Sequence, residues 1–176
     1  MTPKNPCFYK ILTGLVFLVF ASAAVAQTEV AKLTLSQADR VAVFKAAGAT
    51  LKKGKWLICV PPAHSGTPEA AGAAIETVRD LNGDGRPEAI VTDSGTFCYG
   101  SAEAGFQLLS QQADGRWRVI TGDTGIPEFL KTKGVGGWPD ISIGGLGFCF
   151  PVQRWNGKSY EPNRFEYQGK RCKPER

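Results

Sequence analysis

Asp80-Leu81-Asn82-Gly83-Asp84-Gly85-Arg86-Pro87-Glu88 is the stretch from which the chain is read. It sets oxygen-bearing side chains at loop positions 1, 3, 5 and 9 (Asp80, Asn82, Asp84 and Glu88). Hard cations such as Ca²⁺ take six to eight oxygens from carboxylates, amides and backbone carbonyls. Arg86, at position 7, can offer its backbone carbonyl. Gly85, at position 6, permits the sharp turn such loops need, because glycine tolerates a positive φ. A plain Asn/Gly/Asp turn without metal uses the same residue types.

The loop is not an EF-hand, which needs a bidentate Glu at position 12; that position is Val91. Ala74-Ile75-Glu76-Thr77-Val78-Arg79 precedes it and Glu88-Ala89-Ile90-Val91-Thr92-Asp93 follows. Both flanks are short, β-branched and partly alternating, so they read as strands. The pattern D-x-N-x-D-G-x-x-E between two strands resembles the calcium loops of FG-GAP and VCBS-type repeats of integrin-like β-propellers. The resemblance is specific over 80–88 and looser over about residues 75–167. It implies Asp80, Asn82, Asp84 and Glu88 as Ca²⁺ ligands, with Arg86 contributing its carbonyl. Asn82 and Glu88 depart from the family's aspartates, yet each keeps an oxygen in place.

The second half echoes the first. Gly85-Arg86-Pro87-Glu88 is matched by Gly137-Trp138-Pro139-Asp140, and Gly95-Thr96-Phe97-Cys98 by Gly147-Phe148-Cys149. Asp114-Gly115-Arg116-Trp117 is matched by Asn156-Gly157-Lys158-Ser159-Tyr160. Lys53-Gly54-Lys55-Trp56 resembles the tail of a third unit. Such self-similarity predicts blade-like sheets. The second unit has Thr132, Gly134 and Gly136 where Asp80, Asn82 and Asp84 stand, and keeps only Asp140, so one strong cation site is expected. A closed propeller needs at least about four blades, and this chain is too short for that. The expected fold is mainly β: two to three degenerate propeller-blade-like antiparallel sheets packed together, with one N-terminal amphipathic helix.

That helix is predicted over 36–47. Ser36 and Asp39 form a short-armed capping box, Ala38, Val41, Phe44 and Ala47 follow at helical spacing, and Gly48 fits the C′ position. Further strands are predicted at 96–99, 106–109 and 117–120. Gly54-Lys55-Trp56 and Leu57-Ile58-Cys59-Val60 suggest a hairpin, and residues 126–130 a single helical turn.

Residues 1–26 read as a signal peptide: Lys4 and Lys10, an apolar run from Ile11 to Phe20, then Ala24-Val25-Ala26 as cleavage site. Residues 27–176 form one exported domain, periplasmic or secreted, with no membrane insertion after cleavage. Without Lys4 and Lys10, the 21 basic residues become 19 against 16 acidic, a net charge of +3. The basic residues never cluster beyond pairs, so no nucleic-acid partner is expected. Residues 170–176 read as a solvated tail.

Cys59, Cys98, Cys149 and Cys172 remain after cleavage. An even count in an exported chain implies two disulfides. The preferred pairing is Cys98 with Cys149, at equivalent points of the two units, and Cys59 with Cys172. Zinc is disfavoured: no C-x-x-C occurs, and His64, in a Pro-rich loop, is the sole histidine.

No G-x-S-x-G elbow, P-loop or dinucleotide fingerprint is present, and Ser94 lacks a base, so no enzymatic activity is expected. Trp138, Phe148, Phe150, Trp155 and Tyr160 crowd the second unit. They read mainly as core, and if exposed they would bind a protein or carbohydrate partner. The expected function is a calcium-binding, disulfide-stabilised β domain with a structural or protein-interaction role. The alternative is a small periplasmic inhibitor or ligand-binding protein without metal dependence.

Overall fold

The computed structural model describes residues 34–62, 71–102 and 104–174. The predicted signal peptide and His64 lie outside the described residues. Helix α1 (Gln37–Ala46) opens the fold. Ser36 caps it: its Oγ accepts the Asp39 N–H at 3.1 Å, and its hydroxyl donates to Asp39 Oδ2 at 2.6 Å. Gly48, at φ +78°, closes the far end. The buried face is centred on Val43 and Phe44, with Ala47 beside them and Ala38 left exposed.

Strands β1 (Thr50–Lys52) and β2 (Lys55–Leu57) form a hairpin around Lys53-Gly54. Its turn lies before the stretch expected from sequence. Lys53 and Gly54 both have positive φ, 47° and 79°, as a tight two-residue hairpin turn requires.

Two larger antiparallel meanders follow. The first sheet runs β3 (Ala74–Arg79), β4 (Glu88–Ser94), β5 (Ala104–Gln111), β6 (Trp117–Thr124), each strand beside the next. The second runs β7 (Ile126–Lys133), β8 (Pro139–Gly144), β9 (Phe150–Trp155), β10 (Tyr160–Tyr167), β11 (Lys170–Arg171), again in chain order. The fold is therefore mainly β with three antiparallel sheets, as the repeat predicted. Gly125 alone joins the two meanders. A Cβ there would stand 2.4 Å from the Gly144 carbonyl oxygen, so only glycine passes.

Strand alternation makes the first sheet the middle layer. Ala89, Val91 and Leu109 join Val78 and Trp117 against α1. Ile90, Phe106 and Leu108 face Trp138, Ile141, Ile143 and Tyr160 of the second sheet. Each fully buried aliphatic side chain here contributes roughly 1.5–3 kcal/mol. Phe44 stacks on Trp56 with centroids 5.1 Å apart, which pins the hairpin to the helix.

Four local expectations are corrected. Thr96–Tyr99 is a one-turn helix, α2, not a strand. Gly95 at φ +149° and Gly100 at φ +54° break the extended chain on either side. Ile126–Lys133 is a strand rather than a helical turn. It is the edge strand of its sheet, where Pro127's missing N–H leaves the ladder intact.

The disulfides are Cys59–Cys98 and Cys149–Cys172, not the preferred pairing. The Cys59 N–H donates to Asp93, which holds Cys59 beside the end of β4, and Cys98 follows that strand. In the second sheet Phe150 pairs with Glu166, and the β10–β11 hairpin returns Cys172 to Cys149. Neither bridge therefore links the two meanders. The C-terminal segment is not a free tail, since Lys170 and Arg171 form β11. Among the described residues no helix is long and apolar enough to cross a membrane.

Candidate metal centre

The 80–88 loop leaves β3 and enters β4, and it is organised by its own side chains. Asp80 Oδ1 accepts the Gly83 N–H at 2.7 Å and Oδ2 the Gly85 N–H at 2.9 Å. Asn82 Oδ1 accepts the Asp84 N–H, and Asp84 Oδ1 the Arg86 N–H, both at 2.9 Å. These are the Asx turns that Asn and Asp make with the backbone two residues on. Gly83 and Gly85 both sit at φ +84°, which a side chain would resist. The Arg86 guanidinium pairs with Asp84 Oδ2, and its Nε donates to the Gln111 carbonyl at 3.1 Å.

Glu88 is different. It is fully buried. Oε2 accepts the Leu81 N–H at 2.7 Å, and Oε1 the Ser110 hydroxyl at 2.8 Å. Burial pushes its carboxyl up, the two hydrogen bonds pull it down, and the charges of Asp84 and Asp80 push it up again. Glu88 thus feels the charges of both loop aspartates. No Lys, Arg or His pairs with Glu88 among the described residues.

The donor types fit a hard cation: three carboxylates, an amide oxygen and a backbone carbonyl on one short loop. Each carboxylate oxygen that takes one N–H keeps a lone pair. In the present arrangement, no three acidic, imidazole or thiol groups among the described residues are set to hold a metal ion. Asn82 donates its Nδ2 toward Asp84 at 3.3 Å, and Glu88 turns inward to Ser110.

The matching position of the second unit is filled by cationic side chains. Asp140 is also fully buried. Arg154 grips it through two bonds of 2.9 and 2.8 Å, Arg164 donates at 2.6 Å, and the Thr132 hydroxyl at 2.6 Å. Burial alone would push the Asp140 carboxyl up, but Arg154, Thr132 and Arg164 outweigh it and hold it at about 2. Tyr160 feels both acids: burial, then the charge of Asp140, then that of Glu88, push its hydroxyl up. It donates to the Pro139 carbonyl at 2.8 Å.

Sequence reasoning found the loop and both closing acids. It missed Ser110, Arg154 and Arg164, which stand on strands whose pattern reads as ordinary sheet. Thr132 was visible only as a lost ligand. Of the five crowded aromatics, Trp138 and Tyr160 are buried, whereas Phe148 is 76% exposed. Comparison of the chain with protein-family models, with curated proteins and with solved structures finds no significant match.

Proposed function

We propose that the chain is an exported, disulfide-clamped β domain of FG-GAP/VCBS type, periplasmic or secreted. Its role is structural or interactive rather than catalytic, and Ca²⁺ in the 80–88 loop stabilises it. One observation carries this reading. Two equivalent buried acids close two equivalent turns, and among the described residues only one has cationic partners. Asp140 has Arg154 and Arg164; Glu88 has a backbone N–H and a hydroxyl, with two further carboxylates nearby. A buried charge without a countercharge is costly. Asp80, Asn82, Asp84 and Glu88 would hold the ion through side-chain oxygens and Arg86 through its carbonyl.

The test is thermal unfolding of wild type and Asp84→Ala, each in EDTA and in millimolar Ca²⁺. An extracellular-type site has a Kd of roughly 10⁻⁴–10⁻³ M, so the ion adds about 0.5–1.5 kcal/mol to wild type. The variant should not respond. A wild type that ignores Ca²⁺ and gives no heat on titration would reduce the loop to a turn.

A metal-independent inhibitor or ligand-binding protein is the second reading, favoured by one apolar surface. Leu146 is 81% and Ile126 65% exposed, and both border a cleft of about 770 Å³. Exposed apolar surface of this kind marks interaction sites.

A further inference from the structure

β4 carries a buried acid near each end. Glu88 belongs to the loop; Asp93, at the other end, does not. By strand alternation Asp93 shares a face with Ala89 and Val91. It lines a cleft of about 440 Å³, bordered by Ile58, Val91, Tyr99 and Val119.

Asp93 is only 3% exposed. Its Oδ2 accepts the Cys59 N–H at 2.6 Å and the Tyr99 hydroxyl at 3.3 Å. Its Oδ1 is buried with no hydrogen-bond partner among the described residues. Among the described residues no Lys, Arg or His lines this cleft. A buried acceptor left without a donor carries the full penalty of its lost water. The missing group is therefore a donor, and on a carboxylate a charged donor serves best.

Two neighbours shape the site. Tyr99 lies directly on Gly105, where an added Cβ would stand 2.2 Å from its ring. That close approach is what lets the Tyr99 hydroxyl reach Asp93. Burial, then the charge of Asp93, push that hydroxyl up to about 12, so Tyr99 stays a neutral donor and leaves the negative charge on Asp93 uncancelled. Asp123 also borders the cleft, but its carboxylate turns to the second sheet, where it accepts from Gln153. The aromatic ring of Tyr99 also favours a cation.

We propose that this cleft binds a primary ammonium group on an apolar stem, with Asp93 as its charged acceptor and the aliphatic and aromatic walls around the stem. The ammonium can come from a free alkylamine or from a lysine side chain of a protein partner. The site is separate from the 80–88 loop and does not depend on Ca²⁺.

The test is titration of the oxidised protein with n-butylammonium, n-butanol and Nα-acetyl-lysine methylamide, read by amide chemical shifts at Asp93, Tyr99, Gly105 and Gly122. Butylammonium should shift these amides saturably and butanol should not. Acetyl-lysine methylamide binding at least as tightly as butylammonium assigns the site to a protein lysine, and its exclusion assigns it to a free amine. In Asp93→Asn the side-chain oxygen can still accept the Cys59 N–H while the charge is lost, so affinity should fall by roughly tenfold or more. Equal binding of butanol, unchanged affinity in Asp93→Asn, or no shift at all overturns the proposal. The wild-type series decides even if the variant does not fold, because ammonium against alcohol isolates the charge.

Discussion

Glu88 and Asp140 are one position answered in two ways. Asp140 has recruited Arg154, Arg164 and Thr132, so its ionised form is favoured by folding. Its carboxyl is held at about 2 in the fold, below the value of about 3.9 in an unfolded chain. A depressed acid adds stability above its unfolded value and loses it as pH falls. Stability should therefore drop between about pH 4 and pH 2, by on the order of 2 kcal/mol from this group. Asp140→Asn should flatten that part of the curve, and at neutral pH it should be less stable than wild type, because two guanidinium groups lose their anion. Denaturant unfolding of both proteins across that range checks the claim. A wild type and variant with parallel acid limbs would show that other carboxylates dominate.

At the scale of elements, the strands around the loop were legible because their apolar positions alternate and Asn/Gly/Asp residues bound them. The helix was legible through Ser36, Asp39 and Gly48, whose capping chemistry is local. Legibility failed where a non-local contact decides. Thr96-Phe97-Cys98-Tyr99 has strand composition, yet Gly95 and Gly100 turn the chain and the bridge to Cys59 fixes it. Residues 126–133 look irregular because of Pro127, which an edge strand accommodates. Repeat equivalence predicts Cys98 with Cys149, but neither bridge links the two meanders: the register of Phe150 with Glu166 brings Cys172 to Cys149, and the Asp93 contact holds Cys59 near Cys98. The bridges span 39 and 23 residues, for which chain entropy gives roughly 3–4 kcal/mol each. Cys149→Ser with Cys172→Ser should therefore lower stability by about that much. It should expose the β11 amides to hydrogen exchange while those of β4 and β5 stay protected. Equal loss of protection in both sheets would contradict bridges that leave the two meanders unlinked.

For the whole molecule, the question is how two small meanders become one fold. The shared core of Ile90, Leu108, Trp138 and Ile141 supplies the apolar part. Arg79 sits 5.6 Å from the Phe129 ring, and Gln153 donates to Asp123 at 3.0 Å, each crossing from one unit to the other. The loops themselves also meet. A Cβ on Gly137 would stand 2.3 Å from the Asn82 carbonyl oxygen, so the second unit's turn presses on the candidate metal loop. The repeat predicted two units, but not this seam, because nothing in the spacing of Gly137 says what it meets. Gly136 and Gly137 give a controlled comparison. Both have positive φ, 63° and 79°, so alanine is strained at either site, by about 1–2 kcal/mol. At Gly136 the added Cβ meets only Trp138 Cδ1, at an ordinary 3.8 Å. Gly136→Ala should thus show the backbone penalty alone. Gly137→Ala should add the displacement of Asn82, lowering stability by a further 1–3 kcal/mol or so, the range for overpacking. It should also speed hydrogen exchange at the Gly83 and Gly85 amides, which donate to Asp80, whereas Gly136→Ala should leave them protected. If the two variants are equally stable and exchange alike, the loops do not bear on one another, and the units are joined by the apolar core and the Arg79 and Gln153 contacts.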